Sequence, residues 1–284
     1  MFDEKKILFA EDFDGRGEYL QYENDCITFT QILVIPNLTC SLRCKYCAAG
    51  NQYAERREYN PEITVNEFDK LMAVCKTRQV NIQGGEVFLH RRLSEFFDRF
   101  SRMSNIANCE SVAVFTNATV IPTDEQLNAY ERIDLPKKII ISNYDLPQVK
   151  APKFIEKIKE RNLDYYINPI DHFWFHPGSP KKEIGYTDEE LKRILKKCTK
   201  FCRAPKLIDG RFFACGQNGY ALYERLKDFI DIRNIDALKL RDALYNYMYK
   251  VTSYDICKFC RGQFEGCELI PAAEQLNNYS VREN

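Results

Sequence analysis

Short apolar runs alternate along the chain with longer segments in which apolar residues recur at helical spacing. The runs ILVIP (32–36), QVNIQ (79–83), SVAVFTN (111–117), KKIIISN (137–143) and YYINPI (165–170) are close to continuously apolar. That pattern fits parallel strands buried on both faces better than strands with one wet face. The segments between them have readable helix starts. Thr64, with Glu67 three residues on, opens VNEFDKLMAVCK; Thr123 opens DEQLNAYERI; Thr187 opens DEELKRILKKC. A threonine hydroxyl can accept from the free N–H groups of a first turn, and acidic residues suit that end of a helix. Strand–helix–strand alternation implies right-handed crossovers and an α/β fold with a parallel sheet or partial barrel. In such folds ligands gather at the carboxyl ends of the strands.

The residues that follow those ends carry chemistry. ILVIP runs into NLTCSLRCKYCAAG, where Cys40, Cys44 and Cys47 place three thiols in one tight loop. QVNIQ runs into Gly84 and Gly85, which let backbone approach a ligand closely, and then Glu86 adds a carboxylate at the same rim. Structural zinc takes four N or S ligands, so the triplet serves zinc only if completed from elsewhere. Three thiolates suit a [4Fe-4S] cluster with one iron left open.

Composition limits the partners. A chain of 284 residues, 45% hydrophobic and 29% charged, can bury a core and is long enough for one large domain and a small appendage. Its 41 basic residues cancel 41 acidic ones, so no net field draws it to nucleic acid. The start, MFDEKKILFAEDFDGRGEYL, lacks the apolar stretch of a signal peptide and the acid-poor character of a transit peptide. No apolar run approaches the roughly 20 residues needed to span a bilayer. The expectation is a cytoplasmic protein with no membrane partner. In a reducing compartment the 12 cysteines are expected as metal ligands or redox groups rather than disulfides. Isolated Cys26, Cys75 and Cys109 read as small buried hydrophobes.

Six cysteines fall late, at Cys198, Cys202, Cys215, Cys257, Cys260 and Cys267. Asp209-Gly210 between two β-rich runs signals a hairpin that brings Cys202 close to Cys215. After a helix expected around DALKLRDALYNYMYK, Cys257 and Cys260 form a CxxC. Four such thiolates taken alone fit rubredoxin-like zinc as well as a cluster.

With both patterns in view, the sequence resembles the radical S-adenosylmethionine (radical SAM) superfamily. CSLRCKYC matches its CxxxCxxC motif, and IQGGE matches its GGE motif. The resemblance implies a partial (β/α)6 barrel over residues 30–195, preceded by an extension (1–29) and followed by a small hairpin-plus-helix region (196–284). It implies that Cys40, Cys44 and Cys47 bind a [4Fe-4S] cluster whose open iron takes the amino and carboxylate groups of SAM. Tyr46 would lie against the adenine, and Gly84, Gly85 and Glu86 would contact the methionine amino group. FTNAT resembles a third-strand TNG motif, giving Thr116 and Asn117, although Ala118 replaces the glycine. IIISNYD resembles a fourth-strand segment whose serine, here Ser142, reaches the ribose, with Asn143 as a second candidate. GRFFAC matches the GxxxxC of SPASM and twitch extensions, which hold auxiliary [4Fe-4S] clusters. The shorter twitch type, with one auxiliary cluster, is the better match, because only Cys267 follows the CxxC. Its ligands would be Cys215, Cys257 and Cys260 with either Cys202, favoured by the hairpin, or Cys198, favoured by the family's spacing.

That resemblance implies reductive cleavage of SAM to a 5′-deoxyadenosyl radical, which removes hydrogen from a substrate. The leading expectation is oxidation of an alcohol, with the auxiliary cluster accepting the second electron and a protein donor supplying the first. Fewer than 40 residues precede Cys40, too few for a peptide-leader domain, so a small molecule such as a sugar or aminosugar is expected. Asn168, Asp171, His172, Trp174 and His176 supply aromatic and hydrogen-bonding groups suited to a polyol, or else a packed loop anchored by its tryptophan. An epimerase using Cys267 or Cys26 as hydrogen donor, a peptide-modifying enzyme, an electron-transfer protein and a zinc-stabilised binding module are the alternatives.

Overall fold

A computed structural model describes residues 19–168, 172–198, 203–217, 219–262 and 267–276. Cys202 and Asp171, both singled out above, lie outside the described residues. Strand β1 (Leu20–Glu23) pairs antiparallel with the first half of β2 (Cys26–Val34). From β2 the predicted succession unfolds through β3 (Cys75–Ile82), β4 (Val112–Thr116), β5 (Lys137–Ser142) and β6 (Tyr165–Asn168), each parallel to its predecessor. The inner strands are buried along most of their length, as continuous apolar runs require.

Helices α1 (Pro61–Met72), α2 (Leu93–Phe100), α3 (Asp124–Glu131), α4 (Ala151–Lys159) and α5 (Asp188–Lys197) follow β2 through β6 in turn. Thr123 and Thr187 form the expected caps, each with a reciprocal capping box to Gln126 and Glu190. Thr64 does not cap α1. Asn60 does, accepting from Glu62 N at 3.0 Å, because Pro61 starts the helix and leaves Thr64 buried inside it. Helices α2 and α4 escape a reading based on caps, since Arg92 and Lys150 precede them without a side-chain cap bond. Their apolar faces nonetheless fill the layer against the sheet: Phe96, Phe97, Phe100 and Phe154 are wholly buried, as is Phe68 of α1.

The hairpin forms where Asp209-Gly210 places it. β8 (Lys206–Ile208) and β9 (Arg211–Phe213) pair across a turn in which Asp209 (φ 49°) and Gly210 (φ 75°) are both left-handed, as a type I′ turn demands. This hairpin is not set apart from the barrel. β8 pairs in parallel with the carboxyl end of β2, and β10 (Ile230–Asp231) adds to β9, so one sheet of nine strands runs β10-β9-β8-β2-β3-β4-β5-β6 with β1 beside β2. All three β8 residues are buried, and the strand covers the upper edge of β2 left free by β1. A second sheet joins β7 (Phe173–Phe175) to β11 (Leu269–Pro271). Helices α6 (Gly219–Leu222) and α7 (Ala237–Tyr249) complete the described α-helices, α7 being capped by Asp236. Among the described residues no helix is long and apolar enough to cross a membrane.

Replacing Gly210 by alanine forces an L side chain into the left-handed region and presses a Cβ to 2.7 Å from Arg233 Nε, the mobile end of a side chain. The expected loss is about 1–2 kcal/mol, from the backbone conformation rather than from contact. Urea unfolding of Gly210→Ala checks it.

Candidate active site

The rim at the carboxyl ends of β2 to β5 is assembled by backbone before it is decorated by side chains. After β2 the chain passes Asn37 and Thr39 directly over the corner at Gly84-Gly85-Glu86. Gly85 N donates to Asn37 O at 3.2 Å, Glu86 N to Thr39 O at 2.8 Å, and Asn37 Nδ2 to Glu86 O at 3.0 Å. A Cβ on Gly84 would stand 2.5 Å from Asn37 O, and one on Gly85 would overlap the Thr39 carbonyl and come within 2.8 Å of Cys40 N. The close approach that requires these glycines is therefore to the cysteine loop.

Glu86 is fully buried and its carboxylate is already committed. Oε1 accepts from Thr116 Oγ1 at 2.8 Å and from Phe88 N at 3.2 Å, while Oε2 accepts from Asn117 N at 2.8 Å. Burial pushes it up to about 7, against these three donors, which favour the charged form. Thr116 Oγ1 also accepts from Ala118 N at 2.9 Å. Ala118, which stands where the family motif has glycine, keeps the glycine-like conformation at φ 53°. Asn117 reaches the triplet itself, with Nδ2 3.6 Å from Cys40 Sγ and Oδ1 accepting from Thr119. Thr119 in turn hydrogen-bonds Ser41. The GGE and TNA segments thus act as a brace between the ends of β3 and β4 and the cysteine loop. The Asn37 Oδ1 acceptor is buried without a partner, and among the described residues nothing donates to the carbonyls of Gly84 or Gly85.

Cys40, Cys44 and Cys47 share that loop, where Cys47 N and Gly50 N close successive turns on Cys44 O and Cys47 O. The loop is also strapped by residues 274–276: Lys45 N donates to Glu274 O, Leu276 N to Arg43 O, and Gln275 Nε2 to Cys44 Sγ at 3.2 Å. Burial pushes the Cys40 thiol up to about 12, with the charges of Cys47 and Glu86 adding to it. Cys44 goes to about 11, burial again leading, opposed by the Gln275 amide. Thiols so resistant to ionisation make poor nucleophiles but good ligands for a cationic group that displaces their protons. Tyr220, wholly buried, lies within electrostatic reach of Cys47 and Cys40, and among the described residues its hydroxyl has no hydrogen-bond partner. Three thiols beside an orphaned donor fit a cysteine-held cluster whose sulfur can accept that hydrogen bond.

Around this loop stand the other candidates. Tyr46 has its ring 5.1 Å from the ring of His176 and 4.9 Å from Lys45 Nζ. Ser142 and Asn143 end β5, both half-buried. Next to them is Tyr144, which the sequence reading passed over. Its ring meets Trp174 edge-on at 5.6 Å, and its hydroxyl is raised by burial first and then by the charges of all three triplet thiols. His172 and Asn168 flank the segment that leads into β7. Cys26 begins β2, about eight residues of extended chain, or roughly 26 Å, below the rim. Cys75 and Cys109 are buried and Cys26 is half-buried.

A second group of thiols lines one cavity: Cys198 from the end of α5, Cys215 after β9, and Cys257 and Cys260 from the CxxC, with Ile194, Leu195, Tyr254 and Ile256 closing the walls. Burial raises the thiols of Cys257 and Cys260 well above the ordinary range, and Cys215 and Cys198 add to both. Cys267 is not among the lining residues; its sulfur lies 3.7 Å from Gly262 O. Among the described residues no three Cys, His, Asp or Glu groups converge on a point that a single metal ion would occupy.

Gly85→Ala is expected to displace the cysteine loop, because the atoms it would meet are backbone. The variant should lose at least half of the iron taken up by the wild type on anaerobic reconstitution, with its far-UV circular dichroism unchanged. Leu238→Ala, on the solvent face of α7 where the side chain is 87% exposed, is the control and should keep its iron.

The sequence profile of the radical SAM superfamily matches residues 34–208, which spans the rim, the parallel strands β3 to β6, and β8. GTP 3′,8-cyclase of Aquifex aeolicus (strain VF5) is 30% identical over 122 residues, covering 42% of this chain and 36% of that relative, so little more than a third of its length is represented. The crystal structure of BtrN in complex with AdoMet and 2-DOIA superposes with a TM-score of 0.52 at 14% identity, covering 82% of this chain and 93% of that one, a likeness of fold. The profile match extends over more than half of the chain and takes in both the cysteine loop and the GGE corner that it packs against: this chain belongs to the radical SAM superfamily.

Proposed function

We propose that this radical SAM enzyme holds two [4Fe-4S] clusters and oxidises a small, sugar-like molecule. When bound, the first cluster and SAM supply the 5′-deoxyadenosyl radical that removes hydrogen from the substrate. Cys40, Cys44 and Cys47 would hold that cluster, and the remaining work falls to the rim. The free carbonyls of Gly84 and Gly85, with Asn37 Oδ1, are acceptors suited to an ammonium group such as the methionine amino group. Glu86 and Thr116 would serve by fixing those acceptors, because their own side chains are spent on each other and on backbone N–H groups. Tyr46 offers a ring face for adenine, and Ser142 and Asn143 offer polar groups for the ribose. Tyr144, Trp174 and His176 would wall the substrate side and exclude water, and their mixed aromatic and hydrogen-bonding character suits a polyol.

The observation that carries the second cluster is the cavity lined by Cys198, Cys215, Cys257 and Cys260. Thiols from three separate stretches of chain face that one cavity. Iron–sulfur clusters are held by cysteine thiolates, and four of them around a shared volume suit such a cluster. Cys198 lines that cavity and is the ligand the proposal takes, while Cys202, the alternative favoured by the hairpin, lies outside the described residues. With all four ligands from protein, such a cluster would have no vacant iron and would act by taking the electron left on the oxidised substrate. The small-molecule reading is supported further by fold likeness to BtrN, captured with AdoMet and 2-DOIA.

Anaerobically reconstituted protein should contain about eight irons per chain, two clusters of four. Cys257→Ala/Cys260→Ala should retain about half of that, and retention of the full content would refute the second site. Incubation with SAM and dithionite should yield 5′-deoxyadenosine from the wild type and none from Cys40→Ala, Cys44→Ala or Cys47→Ala.

A further inference from the structure

Lys206 is a charged residue in the wholly buried strand β8, and it is 1% exposed. It pairs with Leu33 at the carboxyl end of β2, directly below the cysteine loop. Two glycines grip its stem: a Cβ on Gly216 would fall 2.7 Å from its Cε, and one on Gly219 would fall 3.0 Å from Nζ. Nζ donates to Gly216 O at 2.7 Å and stands 4.3 Å from the centroid of the Tyr220 ring. Tyr220 N donates to Ala49 O at 2.8 Å, which ties this cage to the loop that carries Cys47.

A buried ammonium requires a compensating anion, since an unpaired one costs several kcal/mol even after relaxation. One carbonyl and one ring face do not neutralise it. Gly216, whose carbonyl takes the ammonium, follows Cys215 directly, while the Tyr220 ring under Nζ belongs to the residue tied to Ala49 beyond Cys47. Burial pulls the ammonium down to about 8, and Cys215 and Cys47, one from each group of thiols, oppose that shift. Lys206 is the one Lys or Arg that is buried among the described residues.

We propose that Lys206 is the shared counter-charge of the two cysteine-held centres, a positioning residue that stabilises negative charge added to either one. The inference rests on the two-cluster reading given above. In that setting each electron that enters a centre adds negative charge near a fixed cation in a water-poor interior, where salt screens little. Lys206 therefore makes both centres easier to reduce. The unpartnered Tyr220 hydroxyl adds a donor, and it acts on the triplet side alone, within reach of Cys47 and Cys40.

The test is iron analysis followed by EPR-monitored potentiometry of the anaerobically reconstituted wild type, Lys206→Met, Lys206→Gln and Tyr220→Phe. Lys206→Gln retains a donor for Gly216 O without the charge, so it carries the comparison should Lys206→Met bind iron poorly. Wild type and charge-neutral variant are expected to hold the same iron, with both midpoint potentials more negative in the variant. Tyr220→Phe should shift only the signal that disappears in Cys40→Ala. Equal iron with unchanged potentials, or a shift at one centre only in the lysine variants, overturns the shared role. Wild-type protein with only half the iron overturns the two-cluster reading itself, and the shared role with it.

Discussion

Everything at the rim depends on one steric fact: the peptide at Gly84-Gly85 lies against the peptides at Asn37 and Thr39 with no room for a side chain between them. That contact fixes the height of the cysteine loop above the ends of β2 and β3. Three hydrogen bonds, from Gly85 N, Glu86 N and Asn37 Nδ2, hold the two segments in register. Glu86 then turns its carboxylate inward to collect Thr116, Asn117 and Phe88, so the corner of β3 is locked to the end of β4. Asn117 completes the circuit by touching Cys40. The triplet is thus presented by a closed ring of backbone and buried polar contacts, which is the rigidity that a site needs if its substrate is to be oriented rather than merely bound.

The fold was legible in sequence because its signals are local. Continuous apolar runs mark parallel strands, Thr123 and Thr187 mark helix starts, and Asp209-Gly210 marks a turn whose two left-handed residues an L side chain would resist. What escaped is non-local. Nothing in KLI announces that β8 joins β2 rather than standing apart, because strand pairing depends on which edge remains uncovered. Asn60 displaced Thr64 as a cap because a proline at the first helical position outweighs a threonine three residues later.

The site divided in the same way. The spacing of Cys40, Cys44 and Cys47 is a local motif and was readable, as was the glycine pair. The inward orientation of Glu86 was not, since it follows from where β4 ends. Gln275 reaches Cys44 across more than 200 residues of chain, and no sequence signal marks it. No motif marks Tyr144, Tyr220 or Lys206 in the sequence. Lysine is rarely buried, so Lys206 at the head of the apolar run KLI carries no local sign of its burial.

The two groups of thiols differ in a way that bears on their roles. Cys40, Cys44 and Cys47 are half-buried in a rim loop, three in number, beside acceptors that have no donor. Cys198, Cys215, Cys257 and Cys260 line one largely apolar cavity. Under the proposed two-cluster reading SAM therefore belongs to the first group alone. EPR spectroscopy of the reduced, fully loaded protein with and without SAM tests that assignment most directly. The account predicts that SAM alters only the signal missing from Cys40→Ala, leaving the signal missing from Cys257→Ala/Cys260→Ala as it was. A change in the latter signal, or in neither, would contradict it.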